Sequence, residues 1–145
     1  MIRQVSVFIQ NDSGRLAHVL QALKKADVNI RSLTISETAD YGIMRLILQD
    51  TDAGLKALKE AKVMANENAV IAIEIPDKPG GLSQLADLMA QENIEIEYAY
   101  SFLPQNTSNA IIIFKVADEN IDRVIALTNE NPALQVLERD TLLMK

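Results

Sequence analysis

The chain has no cysteine, no tryptophan and one histidine, with only four prolines and five glycines among 145 residues. Without cysteine there is no disulfide staple, no thiolate nucleophile and no thiolate metal ligand, a composition that fits a cytoplasmic protein. The lone His18 has no partner cluster for metal ligation or catalysis. Phosphate-binding loops, nucleophile elbows and zinc spacings are also missing. No catalytic residue, metal site or cofactor is therefore expected, and the chain reads as a non-enzyme. Basic residues are in deficit, fourteen against twenty acidic ones, for a net charge of −6. That balance argues against nucleic acid and against anionic membrane surfaces as partners. No hydrophobic run is long enough to span a bilayer, and Arg3-Gln4 leads straight into a strand pattern instead of a signal peptide. Asn11-Asp12-Ser13 and Asn106-Thr107-Ser108 match the glycosylation pattern, but without a secretory signal they read as polar loops.

What the chain does have is a repeat. Val-Ser-Val-Phe-Ile-Gln-Asn-Asp-Ser-Gly-Arg-Leu at 5–16 returns at 71–82 as Ile-Ala-Ile-Glu-Ile-Pro-Asp-Lys-Pro-Gly-Gly-Leu. Gly14 and Gly80 set an offset of 66 residues, at which Val28 and Ile30 also fall on Ile94 and Ile96. A period this long is a small domain, not a solenoid unit. The expected division is 1–67 and 68–145, with Asn66-Glu67-Asn68 as a short linker. A domain of this size buries only about 60% of its unfolded surface, so pairing of the copies, or of two chains, is expected.

Each copy carries the same run of elements. Val5, Val7 and Ile9 alternate with polar or outward residues, the period of a strand. Leu16, Val19, Leu20 and Leu23 form one stripe of a helix over about Ser13–Ala26. Strands follow at Ile30–Ser36 and Tyr41–Leu48. Asp50 is placed to cap a second helix bearing Leu55 and Leu58, and Lys62-Val63-Met64 reads as a last strand. In the second copy the strands are Ala69–Ile75, Ile94–Phe102, Ala110–Val116 and Leu134–Leu137, with Thr141–Leu143 as a possible edge. Its helices are Pro79–Gln91, with Leu82, Leu85, Leu88 and Met89 inward, and Asp118–Asn129. The loop between its second and third strands is about two residues longer, within ordinary loop variation. The order βαββαβ gives an α+β fold of two ferredoxin-like units with antiparallel sheets. Right-handed crossovers put both helices of a unit on one sheet face. Ile111-Ile112-Ile113-Phe114 wants burial on both faces, so the other face should be covered, most economically by a second chain in a homo-oligomer.

At each strand-to-helix turn, glycine permits close backbone approach, and the helix start offers unpaired N–H donors to a carboxylate or phosphate. Asn11 or Asp77 stands just before, able to hold the opposite end of a zwitterion. Capping explains the same residues, and on physics alone it leads. A resemblance adds specificity. Asn11-Asp12-Ser13-Gly14-Arg15-Leu16 and Asp77-Lys78-Pro79-Gly80-Gly81-Leu82 resemble the Asn/Asp-x-Pro-Gly-x-Leu signature of ACT domains. Val28-Asn29-Ile30 and Asn93-Ile94-Glu95-Ile96 resemble the start of their second strand. Ser13 replaces the usual proline, and Asp77 the usual asparagine.

The resemblance covers the chain as two ACT units packed side by side. It implies an amino-acid-binding, allosteric regulatory protein of amino-acid metabolism, with the ligand at the interface of the two units. It assigns the ligand's polar groups to Asn11, Asp12, Ser13, Gly14, Arg15 and Leu16, and to Asp77, Lys78, Pro79, Gly80, Gly81 and Leu82. The ligand's side chain would face residues near the second-strand entry of the neighbouring copy, Asn29, Ile30, Ile94 and Ile96. The partners implied are a free amino acid and an enzyme of amino-acid metabolism. The alternative is a regulatory small subunit of an enzyme such as acetolactate synthase, whose ACT part Asn11-Asp12-Ser13-Gly14 and Ile30-Arg31-Ser32-Leu33-Thr34 also resemble. Glu92, Glu95 and Glu97 read as a solvated face, and Tyr98 and Tyr100 as packing residues.

Overall fold

The computed structural model describes residues 1–10, 13–37 and 40–145. Two compact units divide the chain, Arg3–Asn68 and Ala69–Lys145, the latter joined by Met1 and Ile2. The first is built from β1 (Ile2–Gln10), α1 (Ser13–Lys25), β2 (Ile30–Glu37), β3 (Tyr41–Leu48), α2 (Thr51–Glu60) and the start of β4 (Ala65–Ile75). β3 lies between β1 and β2, antiparallel to both, with Val7 opposite Met44 and Ile9 opposite Gly42. Side chains tie the start of β4 to β1. Ser6 Oγ donates to Asn68 Oδ1 at 2.6 Å, and Arg3 bridges Glu67 and, at 2.8 Å, Asp52.

The second unit continues from β4 through α3 (Gly81–Gln91), β5 (Tyr98–Phe102), β6 (Ala110–Lys115), a 3₁₀ turn at Asp118–Asn120, α4 (Ile121–Asn129), β7 (Gln135–Leu137) and α5 (Arg139–Met144). β4 pairs antiparallel with β6 on one side and β7 on the other, and β5 closes the far edge of β6. Both units thus carry the expected split βαβ arrangement. Alternation sends Val5, Val7 and Ile9 into one core with Val19, Leu23 and Leu58, and Ile71, Ile73 and Ile75 into the other with Leu85, Met89 and Val124. Each such side chain removed from water contributes roughly 1.5–3 kcal/mol.

The helix ends explain how so few glycines suffice. Asp27, Lys62 and Asn93 hold φ of 56°, 61° and 54°, the left-handed conformation that closes a helix. The next residue then bonds back five positions: Val28 N–H to Leu23, Val63 to Leu58 and Ile94 to Met89, at 2.8–3.0 Å. In each case the returning residue is apolar and its acceptor is a buried core residue. The loop therefore re-enters the core at once.

That device overturns several boundaries expected from the pattern. Lys62-Val63-Met64 is the helix-closing turn and not a strand, so β4 begins at Ala65. Asn66-Glu67-Asn68, expected as a linker, is part of that strand. Ile94 and Ile96 fill the core ahead of β5, which starts only at Tyr98. α3 begins at Gly81, so Pro79 lies before it. Leu16 and Leu82, placed on inward stripes by their spacing, are exposed at the first turns of α1 and α3. Thr141–Leu143 is helical, with Leu142 fully buried. Ile111, Ile112, Ile113 and Phe114 are all buried within this one chain, so no second chain is required to cover β6.

Asp27 carries a Cβ at a left-handed position and a negative charge at a helix C-terminus, and both oppose stability. Asp27→Gly should raise the unfolding free energy by about 1 kcal/mol, read as an increased urea midpoint at unchanged slope.

Candidate functional site

The end of β1 and the start of α1 border a cleft of about 380 Å³ in the first unit. Among the described residues its walls come from Phe8, Ile9 and Gln10 of β1, Arg15, His18 and Val19 of α1, Tyr41 of β3, and Lys62-Val63-Met64 after α2. Phe8 faces away from the helices because its neighbours Val7 and Ile9 face toward them. Antiparallel register brings Tyr41 opposite Gln10, and its ring meets Phe8 edge to face at 5.8 Å. The cationic groups stand at the rim. Arg15 Nη2 reaches Gln10 Oε1 at 3.5 Å, a loose contact that a carboxylate would replace with a stronger one. Among the described residues neither Arg15 nor Lys62 forms an ion pair. His18 Nε2 lies 3.0 Å from the Ala61 carbonyl and donates to it, tying α1 to the end of α2. Apolar walls with a cationic rim suit a small carboxylate that also carries an apolar part.

The two glycine turns are built differently. Gly80 caps α3 at φ 86° with no side-chain capping bond, and the N–H of Gly81 is taken by Lys78 O at 3.0 Å. A Cβ on Gly81 would stand 2.3 Å from Pro76 O, so packing demands that glycine. Asp77, Lys78, Pro79 and Gly80 are exposed. At the matching turn the helix starts two residues earlier in the repeat, so Gly14 lies inside α1 and Arg15 occupies the place of Gly81. Ser13, Gly14, Arg15 and Leu16 are exposed on that first turn. Asn11 and Asp12, the anchors expected of the first site, lie outside the described residues.

Within a unit, the entry to the second strand lies at the opposite end of the sheet from the turn. Ile30 pairs with Leu48, whereas Ile9, beside the turn, pairs with Gly42. Asn29 O accepts from Gln49 N–H at 2.9 Å, and Ile30, Ile94 and Ile96 pack on the cores. Among the described residues assigned by resemblance, Arg15 alone lines the cleft. Phe8, Gln10, Tyr41 and Lys62 were missed. They come from separate segments, and only the exposed ring between Val7 and Ile9 gives a sequence hint.

A second polar feature was also missed. Glu74, in an otherwise apolar run of β4, is only 6% exposed. Its Oε1 accepts from Thr107 Oγ1 at 2.8 Å and Asn109 Nδ2 at 3.1 Å, and Lys145 Nζ lies 3.2 Å from Oε2. Burial pushes its pKa up, but these donors together outweigh burial and hold it below the ordinary glutamate value. Among acidic residues considered earlier, Glu92 pairs with Arg123 at 2.5 Å, while Glu95 and Glu97 are exposed. Among the described residues there is no cluster of three metal-ligating side chains, and no helix is long and apolar enough to cross a membrane.

The sequence profile of the ACT domain pair matches residues 1–144. The chain belongs to the ACT domain pair family. A solved structure of protein BT0572 from Bacteroides thetaiotaomicron is 34% identical, with a TM-score of 0.88 over 99% of this chain and 96% of that one. The regulatory subunit of aspartate kinase from Thermus thermophilus superposes with a TM-score of 0.62 over 88% of this ACT domain pair and 90% of that chain. Its counterpart from Thermus flavus gives 0.57 over the same shares. At 15% and 16% identity, these two share the fold with this ACT domain pair. No curated protein matches the sequence.

Two outcomes test this geometry. Gly81→Ala should cost about 2 kcal/mol or more in a urea titration, because the clash is with backbone and cannot be relieved by a rotamer. A carboxylate whose folded pKa is depressed contributes its full stability above the unfolded pKa and loses it as pH falls through the folded one. Wild-type stability should therefore fall below about pH 4, and Glu74→Gln should flatten that limb while leaving the contribution of Glu67, itself held down by Arg3.

Proposed function

We propose that this ACT domain pair is a regulatory binding protein and that the cleft of its first unit holds a free amino acid. The observation that carries the reading is the pairing of Arg15 and Lys62 with an apolar wall of Phe8, Tyr41, Val63 and Met64. An α-carboxylate fits the guanidinium and ammonium at the rim, and a bidentate Arg15 contact would be the strongest available. The carboxamide oxygen of Gln10 is the acceptor for the ligand's ammonium. Its side chain would rest on the ring pair, which favours an apolar or aromatic amino acid over a charged one. Membership in the ACT family supports a regulatory role, as do the names of the aspartate kinase subunits that share the fold. The signal would pass by differential affinity, the ligand favouring the arrangement in which the Phe8–Tyr41 wall and Lys62 loop are closed upon it.

A second reading, a regulatory subunit of an enzyme of amino-acid metabolism, draws on the edge strand β2. Its Leu33 and Ile35 are 44% and 48% exposed, an apolar edge that a partner protein would cover. An affinity pull-down from native lysate separates the readings, since the second requires the enzyme's large subunit to co-purify.

Thermal unfolding against the common amino acids tests the first. At 100 times its dissociation constant a ligand adds about 2.7 kcal/mol, a shift of several degrees for a chain of this size. An apolar or aromatic amino acid should give that shift, and Arg15→Gln or Tyr41→Ala should remove it. A full shift in both variants would place the ligand elsewhere.

A further inference from the structure

The cleft of the first unit is lined by more hydrogen-bond donors than its amino-acid reading uses. Among the described residues its charged side chains are Arg15 and Lys62, which come from two separate segments and present donors only. The carboxylate of Glu60 belongs to a neighbouring depression that shares His18, where Lys25 stands with it. The side-chain acceptors of the cleft lining are neutral, and Arg15 Nη2 already approaches one of them, Gln10 Oε1, at 3.5 Å.

Such a lining treats the two ends of an amino acid unequally. The carboxylate gains a guanidinium and an ammonium. The ligand's own ammonium enters a field set by two like charges, and a neutral acceptor offsets its desolvation only in part. Replacing that ammonium with a carbonyl oxygen removes the repulsion and adds an acceptor beside the carboxylate. A 2-oxo acid gathers all its polar oxygens at one end and carries no donor, the complement of a donor-rich rim. Its apolar side chain meets the Phe8–Tyr41 wall as the amino acid's would.

We propose, resting on the reading of this cleft as a carboxylate site, that it also takes 2-oxo acids with an apolar or aromatic side chain and binds them more tightly than the matching amino acids. Lys62 sets the preference. Arg15 is engaged by the carboxylate of either ligand, whereas the Lys62 ammonium meets an oxo oxygen in one and a second ammonium in the other. The two ligands are the two sides of an amino-group transfer, and they exclude each other from one cleft. Its occupant therefore follows the extent of such a transfer.

Phenylalanine and phenylpyruvate, and leucine and 4-methyl-2-oxopentanoate, are titrated into the full chain by calorimetry. In each pair that binds, the oxo acid should bind about tenfold more tightly, the effect of removing one like charge at close range. That advantage should shrink as salt is raised, because only the oxo acid carries net charge. Lys62→Asn removes the cation and keeps a residue that tolerates the left-handed turn, and it should bring the two members of a pair close to equal affinity. An amino acid that binds as tightly as its oxo acid would overturn the proposal and leave the cleft reading standing; Asp12→Asn then tests Asp12, which precedes α1 in sequence, as the ammonium's partner. A preference unmoved by both salt and Lys62→Asn would overturn it as well. No saturable binding of any of the four, or full binding in Arg15→Gln, would remove the carboxylate site itself and the proposal with it.

Discussion

The antiparallel pairing of each unit's first strand with its third is the constraint on which the rest depends. Ile9 opposite Gly42, and Ile75 opposite Ala110, fix which side chains share a face. A slip of one residue would turn Val5, Val7 and Ile9 out of their core and Phe8 into it. With the register set, one row of side chains is committed to the helices in both units. The row behind it is released from that duty. Position 8 and its counterpart 74 belong to the released row, and there the two copies part.

Their divergence follows from what each position must satisfy. Phe8 needs only another apolar surface, and Tyr41 supplies one at the mouth of an open cleft. Glu74 needs donors, and the longer loop of the second copy provides Thr107 and Asn109 while Lys145 provides charge. The longer loop is thus tied to the carboxylate it serves. A ring-lined cleft and a buried, compensated glutamate occupy corresponding places in the repeat.

Much of this scaffold was legible in the sequence because alternation and helical spacing report directly on which face is buried. Asp50 was readable as a cap, and its Oδ1 does accept from Ala53 N–H at 3.0 Å. The errors have separate causes. Glycine is the usual mark of a left-handed helix end, yet Lys62 and Asn93 do that work here, so the strands that follow α2 and α3 were begun too early. Residues 66–68 read as a polar linker because their side chains are polar, although Glu67 and Asn68 bond to Arg3 and Ser6 from within a strand. Leu16 and Leu82 have the right spacing for an inward stripe, but they stand in first turns that overhang the core. The cleft was hidden for another reason: its lining residues are separated in sequence and are brought together by register.

Glu74 shows where the two kinds of reading meet. In sequence it is one charged residue among isoleucines, which alternation alone would send to solvent. Its near-complete burial changes the question from where it points to what compensates it. Among the described residues the compensation is divided, two neutral donors on one oxygen and one ammonium at the other. The neutral donors come from the loop that precedes β6, and they are fixed by the fold. The ammonium comes from the residue that follows α5, a six-residue helix seated by the fully buried Leu142. The most costly buried group of the unit is therefore neutralised by a residue remote in sequence, so the burial of Glu74 ties the end of α5 to the sheet.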